Sequence, residues 1–183
     1  MIAERLGITK GALYRHFENK QAIFDEIWER MLRLDEERAD EDVVPQKRYF
    51  EDSESYHNIN GHNLCTFVNN QFDFWTANEF ACNFRRMITV EQFKNPERTK
   101  LYQDVICAGP VQYTKDIFVE MKKEGKLNMA ALNMGEEVLA MQLFASLSLA
   151  LQLFDGGISP VVLKEHLIKI TKDFEERWMN DNS

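Results

Sequence analysis

The chain of 183 residues predicts an all-α fold, with an N-terminal helix-turn-helix lobe joined by a long helix to a helical bundle. Three observations carry this. Apolar residues recur three and four apart through most of the chain, the period of a helix. No stretch alternates polar and apolar over a strand's length, and the one Asn-Gly pair, Asn60–Gly61, lies in polar surroundings and not between strand-like runs. Helix stops and starts punctuate the pattern at Gly7, Asn19, Asn95–Pro96, Asp155–Gly156–Gly157 and Ser159–Pro160.

In chain order, Ile2–Leu6 is the end of a helix with Ile2, Ala3 and Leu6 inward, and Gly7 stops it. Thr9 is placed to cap a second short helix through Phe17. On that helix Leu13 and Phe17, four apart, share an apolar face, and Lys10, Tyr14, Arg15 and His16 are left for the other. Two helices joined by a short glycine-containing turn form the helix-turn-helix pattern. The second helix is basic and aromatic, suited to a DNA groove.

Asn19 caps a long helix through about Asp40, with Ile23, Phe24, Ile27, Trp28, Met31, Leu32 and Leu34 at helical spacing and a charged far end. Val43–Val44–Pro45 breaks it, and Tyr49–His62 is a polar connection with room for one short helix. Helices return at Leu64–Thr76 and Glu79–Phe93. Asn95–Pro96 opens another, and Gly109–Pro110 kinks it before a segment that stops at Gly125. Asn133 and Glu136 have the spacing of a capping box for a helix through Phe154 that carries no charge between Glu137 and Asp155. A helix apolar all round is expected to be covered all round. Ser159–Pro160 starts the last helix, whose Leu163, Leu167, Ile170, Phe174 and Trp178 form one seam.

The net charge of −8 excludes nucleic-acid binding by the surface at large, but its distribution is uneven. Residues 1–20 hold Arg5, Lys10, Arg15 and Lys20 against Glu4 and Glu18, a small basic tip on an acidic body. Cys65, Cys82 and Cys107 are odd in number and widely spaced, which fits free thiols in a reducing compartment. There is no secretion-signal pattern and no uncharged apolar run of about 18 residues, so no membrane partner is expected. His57, His62 and Cys65 are close in sequence but lack a fourth ligand. They read as loop residues facing water, and no metal site is assigned. No nucleophile elbow, phosphate loop or His-Glu-x-x-His motif occurs, so no catalytic residue and no cofactor are expected.

The run Ile2–Ala3–Glu4–Arg5–Leu6–Gly7–Ile8–Thr9–Lys10–Gly11–Ala12–Leu13–Tyr14–Arg15–His16–Phe17–Glu18–Asn19–Lys20 resembles the helix-turn-helix of the TetR family of bacterial transcriptional regulators. The match extends through Ile27, and beyond it the likeness is one of layout. The resemblance implies a DNA-binding lobe over residues 1–40 and an effector-binding and dimerisation domain over 41–183, in a cytoplasmic protein. Its partners are a double-stranded DNA operator, a small-molecule effector and a second copy of the chain, the two recognition helices meeting half-sites about one helical turn apart. By position, Thr9 caps the recognition helix and meets a phosphate, Lys10 and Arg15 reach base edges or nearby phosphates, and Gly11 and Ala12 allow close approach. Tyr14, His16 and Lys20 meet the backbone. Family members carry a whole helix before this motif, so the natural chain is expected to begin further upstream than Met1.

The aromatic residues between Leu64 and Tyr113 are first of all core packing. By family analogy some also line a ligand cavity. Phe67, Gln71, Phe74 and Trp75, with Phe84, Met87, Tyr102 and Phe144, are the residues assigned to it, and Asn70, Arg85, Arg86 and Gln142 are further polar groups among apolar ones. Leu149, Leu163, Leu167, Ile170 and Phe174 are assigned to the dimer interface. The expected function is a ligand-responsive repressor, its signal carried by the helix after Asn19 and the kink at Gly109–Pro110. An all-helical dimeric small-molecule binder without DNA binding is the alternative.

Overall fold

A computed structural model describes residues 9–39, 45, 51–52, 54–57 and 59–180. The expected helix at Ile2–Leu6 and its stop at Gly7 lie outside the described residues. The chain divides into two compact units, Met1–Glu41 and Asp42–Ser183. Among the described residues the regular structure is helical, with one isolated antiparallel bridge between Leu127 and Met179.

In the first unit, α1 spans Lys10–His16 and α2 spans Lys20–Ala39. Asn19 starts α2 as the sequence indicates: its Oδ1 accepts the Ala22 amide at 2.9 Å. Phe24 and Met31, seven apart on α2, are buried, and Phe17 is half-buried. Leu32 is 42% exposed, so the apolar stripe of α2 is not closed on every side.

The second unit contains a short 3-10 turn at Glu54–Tyr56, then α3 Gly61–Ala77, α4 Glu79–Glu91, α5 Pro96–Ile106, α6 Ala108–Lys123, α7 Met129–Met134, α8 Glu136–Asp155 and α9 Pro160–Trp178. Asparagines open most of these helices. Asn60 and Asn63 form a reciprocal capping box at α3, three residues before the expected helix start. Asn78, Asn95 and Asn128 accept the third amide of α4, α5 and α7. The capping box expected from Asn133 and Glu136 does not form. Asn133 lies inside α7, and α8 begins after Gly135, whose φ of +87° suits glycine.

The break in the middle helix falls at Cys107, between α5 and α6, two residues before the expected kink. Gly109 is the reason the two segments can abut: a Cβ there would lie 1.8 Å from the Asp104 carbonyl oxygen.

Helix α8 packs against α3, α6, α7 and α9. Its Leu139, Leu143, Leu147 and Leu151, each four apart, are buried. They meet a core that includes Leu64, Phe72, Ile117, Phe118 and Leu167, with Phe118 and Phe174 at a ring separation of 6.0 Å. Polar ties join α3 to α9: the Cys65 thiol donates to the Thr171 carbonyl at 3.2 Å, and Lys164 donates to the Asn69 carbonyl and Asp73, both at 2.6 Å. Burial pushes the Cys65 thiol up to about 12, which makes it an inert packing group. The three cysteines are free thiols.

Two expectations change here. Helix α8 is not covered all round, because Val138, Met141, Leu149 and Leu153 are exposed. By length and composition it is also long and apolar enough to cross a membrane, when a charge at its ends is allowed, though its leucine stripe is packed inside this unit. Second, the seam of α9 faces inward. Leu163, Leu167 and Phe174 are 4%, 1% and 7% exposed and fill the unit's own core, so they cannot serve as a docking face. Of the five residues assigned to the dimer interface, Leu149 and Ile170 remain on the surface, at 57% and 50%.

Candidate nucleic-acid interface and effector domain

Helix α1 has only seven residues, too few to be stable in isolation, so its geometry depends on what surrounds it. Gly11, Tyr14 and Arg15 lie at i, i+3 and i+4, one face of the helix, and all three are exposed, Tyr14 by 44%. His16 is exposed as well. It shares the last turn with Arg15, where cationic side chains complement the helix's negative end. A Cβ on Gly11 would meet nothing within 4 Å, so the surface is open at that point. Thr9 immediately precedes α1 and is exposed; Lys20 is the first residue of α2, also exposed. Lys10 and Ala12 sit on α1, but their side chains lie outside the described residues.

This face is basic and aromatic and carries no acidic residue in the first turn of α1 or α2. An exposed tyrosine hydroxyl, a guanidinium and an ammonium at a helix N-terminus are donors suited to phosphate oxygens. Residues 1–27 match the family model described as bacterial regulatory proteins, tetR family. The match covers the N-terminal helix-turn-helix segment, 27 of the 183 residues. That segment supports a TetR-type DNA-binding transcriptional regulator. Comparison with curated proteins and with solved structures finds no match.

In the second unit, the residues assigned to ligand binding sort by burial. Phe74, Trp75 and Phe84 are 9%, 8% and 2% exposed, and the Phe74 and Trp75 rings meet edge-on at 5.0 Å. Phe67, Gln71, Met87, Tyr102 and Phe144 are half-buried. Phe67 lies 5.8 Å from the Tyr113 ring, whose hydroxyl donates to the Pro45 carbonyl at 2.8 Å. The helices that carry these residues pack pairwise, α3 with α4 and α8, and α4 with α5. Helix α5 is distinctive in that none of its residues is buried, although Leu101, Tyr102, Val105 and Ile106 sit at helical spacing. Burial first, and hydrogen bonding to Cys107 next, raise the Tyr102 phenol above its ordinary value.

Sequence reasoning missed an ionic cluster between α4 and α8. Arg85, 4% exposed, donates to both carboxylate oxygens of Asp155, and Arg86 donates to one of them at 2.7 Å. The Arg86 guanidinium also lies 5.4 Å from the centre of the Phe154 ring. Burial alone would raise the Asp155 carboxyl. The hydrogen bonds from Arg85 and Arg86, aided by their charges, outweigh it and hold the carboxyl below its usual range. The signal in the sequence was two arginines inside an apolar pattern, but nothing local pointed to Asp155, which had been read only as a helix stop.

Proposed function

We propose that this regulator is a cytoplasmic homodimeric repressor, released from a double-stranded DNA operator by a small-molecule effector bound among the middle helices. The observation that carries the reading is the family match at residues 1–27, together with the exposed Tyr14, Arg15 and His16 on α1. Two features of the second unit support the finer parts. The uncovered apolar residues of α8 and α9 (Val138, Met141, Leu149, Leu153, Val161, Ile170) suit a second copy of the same surface. Helix α5, amphipathic yet with no fully buried residue, suits a wall that a ligand completes.

Release is then a population shift. An effector changes operator affinity only by binding one arrangement of the dimer better than the other, and the coupling is reciprocal. The break at Cys107, with α5 on one side and α6 on the other, is the element proposed to respond. The test has two steps. The gene product at its full natural length is used to select duplexes from a random pool, and ligands found by thermal shift are then added to the selected complex. Enrichment of a two-fold symmetric site, and its release by a ligand that raises the melting temperature, is the expected result. Failure to enrich any duplex at moderate salt overturns the DNA-binding reading.

A further inference from the structure

We infer that His57, Glu120 and Glu124 form a binding site for a first-row divalent transition metal. The site is separate from the proposed DNA- and effector-binding residues. His57 Nδ1 lies 2.7 Å from Glu120 Oε1 and 3.2 Å from Glu124 Oε1. One donor atom from each residue lies within 4.8 Å of the other two. Ligands about 2.1 Å from a zinc-sized ion stand roughly 3 Å apart at octahedral corners and about 3.4 Å apart in a tetrahedron. The donor triangle therefore needs little opening to admit an ion.

The elements behind the donors hold them in place. Glu120 lies on the last turn of α6, and Glu124, four residues on, is its C-cap, with its amide bonded to the Glu120 carbonyl, so the two side chains leave the helix end one turn apart. His57 follows the 3-10 turn anchored by Tyr56, which is 1% exposed, and its amide bonds the Glu54 carbonyl at 3.2 Å. Lys126 also holds this segment, donating to the His57 and Ile59 carbonyls, both at 2.8 Å.

The second oxygens of the two carboxylates are already occupied. Glu120 Oε2 is bound by Lys123 at 2.8 Å and Glu124 Oε2 by Lys126 at 2.5 Å. Both Oε1 atoms are left turned towards the imidazole. This is the outer-shell arrangement that orients carboxylate ligands at a metal centre. Glu120 is 2% exposed, while His57 is half-exposed, so the ion would be gripped from within and completed by water outside. One imidazole nitrogen and two carboxylates select zinc, nickel, cobalt or manganese over magnesium and calcium, which prefer oxygen alone. On binding, the neutral imidazole gives its Nδ1 lone pair to the metal and carries its one proton on Nε2. The turn before α3 and the end of α6 are thereby cross-linked.

Metal-stripped protein titrated with Co²⁺ and with Zn²⁺ at neutral pH tests this. Expected are one equivalent of saturable binding by calorimetry, d–d absorption bands with cobalt, and a melting temperature raised by zinc. His57→Gln and Glu124→Gln, both at partly exposed positions and checked for native circular dichroism, should each weaken binding by about tenfold or more. His62→Gln should leave it unchanged. Absence of saturable binding in the wild type, or binding unaltered in His57→Gln, overturns the site and leaves the triad a plain ion pair.

Discussion

Arg85 on α4 clasps Asp155, the last residue of α8, through two nitrogens at 2.5 and 2.9 Å. The arginine side chain is 5% exposed and the aspartate 33%. Removing the carboxylate strands a buried guanidinium, whose Nε already lacks a partner. Loss of one member of a buried pair costs about 3–5 kcal/mol, and the partial exposure of Asp155 lowers the expected loss for Asp155→Ala to about 2–3 kcal/mol. Arg85→Met, which removes the buried charge and keeps an apolar stem, should cost less. Urea denaturation midpoints at unchanged m-value measure both, and a larger loss in Arg85→Met would reverse the assignment of which partner is stranded.

The same pair gives stability a pH dependence. The Asp155 carboxyl is held below its usual range in the folded protein. The unfolded chain therefore takes up a proton first as pH falls, from about 3.9 downward. The contribution is fully present above that value and fades as pH drops through the lower folded-state value. In Asp155→Asn that component is absent. The gap in melting temperature between wild type and variant should be constant from neutral pH to about 5 and shrink below about 4. A gap independent of pH across that range would show that the carboxylate is not the group responsible.

Two glycines permit close approach, and they predict different penalties. At Gly109 a Cβ would meet the Asp104 backbone oxygen, at 1.8 Å, which cannot move without disturbing α5. At Gly61 it would meet the Cγ of Met179 at 2.6 Å, the middle of a flexible side chain. Overpacking costs about 1–3 kcal/mol where neighbours can give. Gly61→Ala should fall near the lower end and Gly109→Ala at or beyond the upper end. Thermal melts of the two variants decide the order, and equal losses would remove the close contact as the reason for the helix break.

What the sequence made legible was local. Asn19, Asn95 and Pro96 mark helix starts within one turn, because a cap is satisfied by its own next three residues. The apolar period showed that α9 has an inner face, but not which neighbour covers it. Leu163, Leu167 and Phe174 were assigned to a partner copy and proved to be covered by the same chain. Asn128, which caps α7, has Ala131 and no Glu or Gln at the third helical position, so the sequence carries no capping-box signature there. Long-range pairs left no local trace: Arg85 and Asp155 are 70 residues apart, and His57 is separated from Glu120 by α3, α4, α5 and most of α6. Lys164 on α9 likewise reaches the Asn69 carbonyl on α3.

The placement of α9 redirects the test of the homodimer. If the open faces of α8 and α9 meet a second copy, Met141→Glu, Leu149→Glu and Ile170→Glu should each yield a folded monomer, since all three side chains are at least half-exposed in the protomer. Leu167→Glu, at 1% exposure, should unfold the unit, with loss of helical circular dichroism at moderate temperature. Sedimentation velocity with circular dichroism separates the two outcomes. A dimer retained in all three surface variants would move the interface elsewhere.

Tyr14 and Lys20 offer a test of how α1 and the start of α2 meet DNA. Both are exposed, and the resemblance assigns both to the DNA backbone. Tyr14→Phe removes a hydroxyl without changing charge, so affinity should fall equally for every duplex while the salt dependence stays the same. Lys20→Ala removes a cation beside the positive end of α2. It should also weaken all duplexes alike, but flatten the slope of log affinity against log salt by about 0.9, the value for one phosphate contact. Arg15→Ala differs from both if its guanidinium reads a guanine: the loss should then be about 1–3 kcal/mol, concentrated at one base pair of the selected site. Fluorescence anisotropy over a salt series, repeated with single-base variants of the site, measures all three. A slope unchanged in Lys20→Ala would place that ammonium away from the backbone and leave the contact to the α1 side chains.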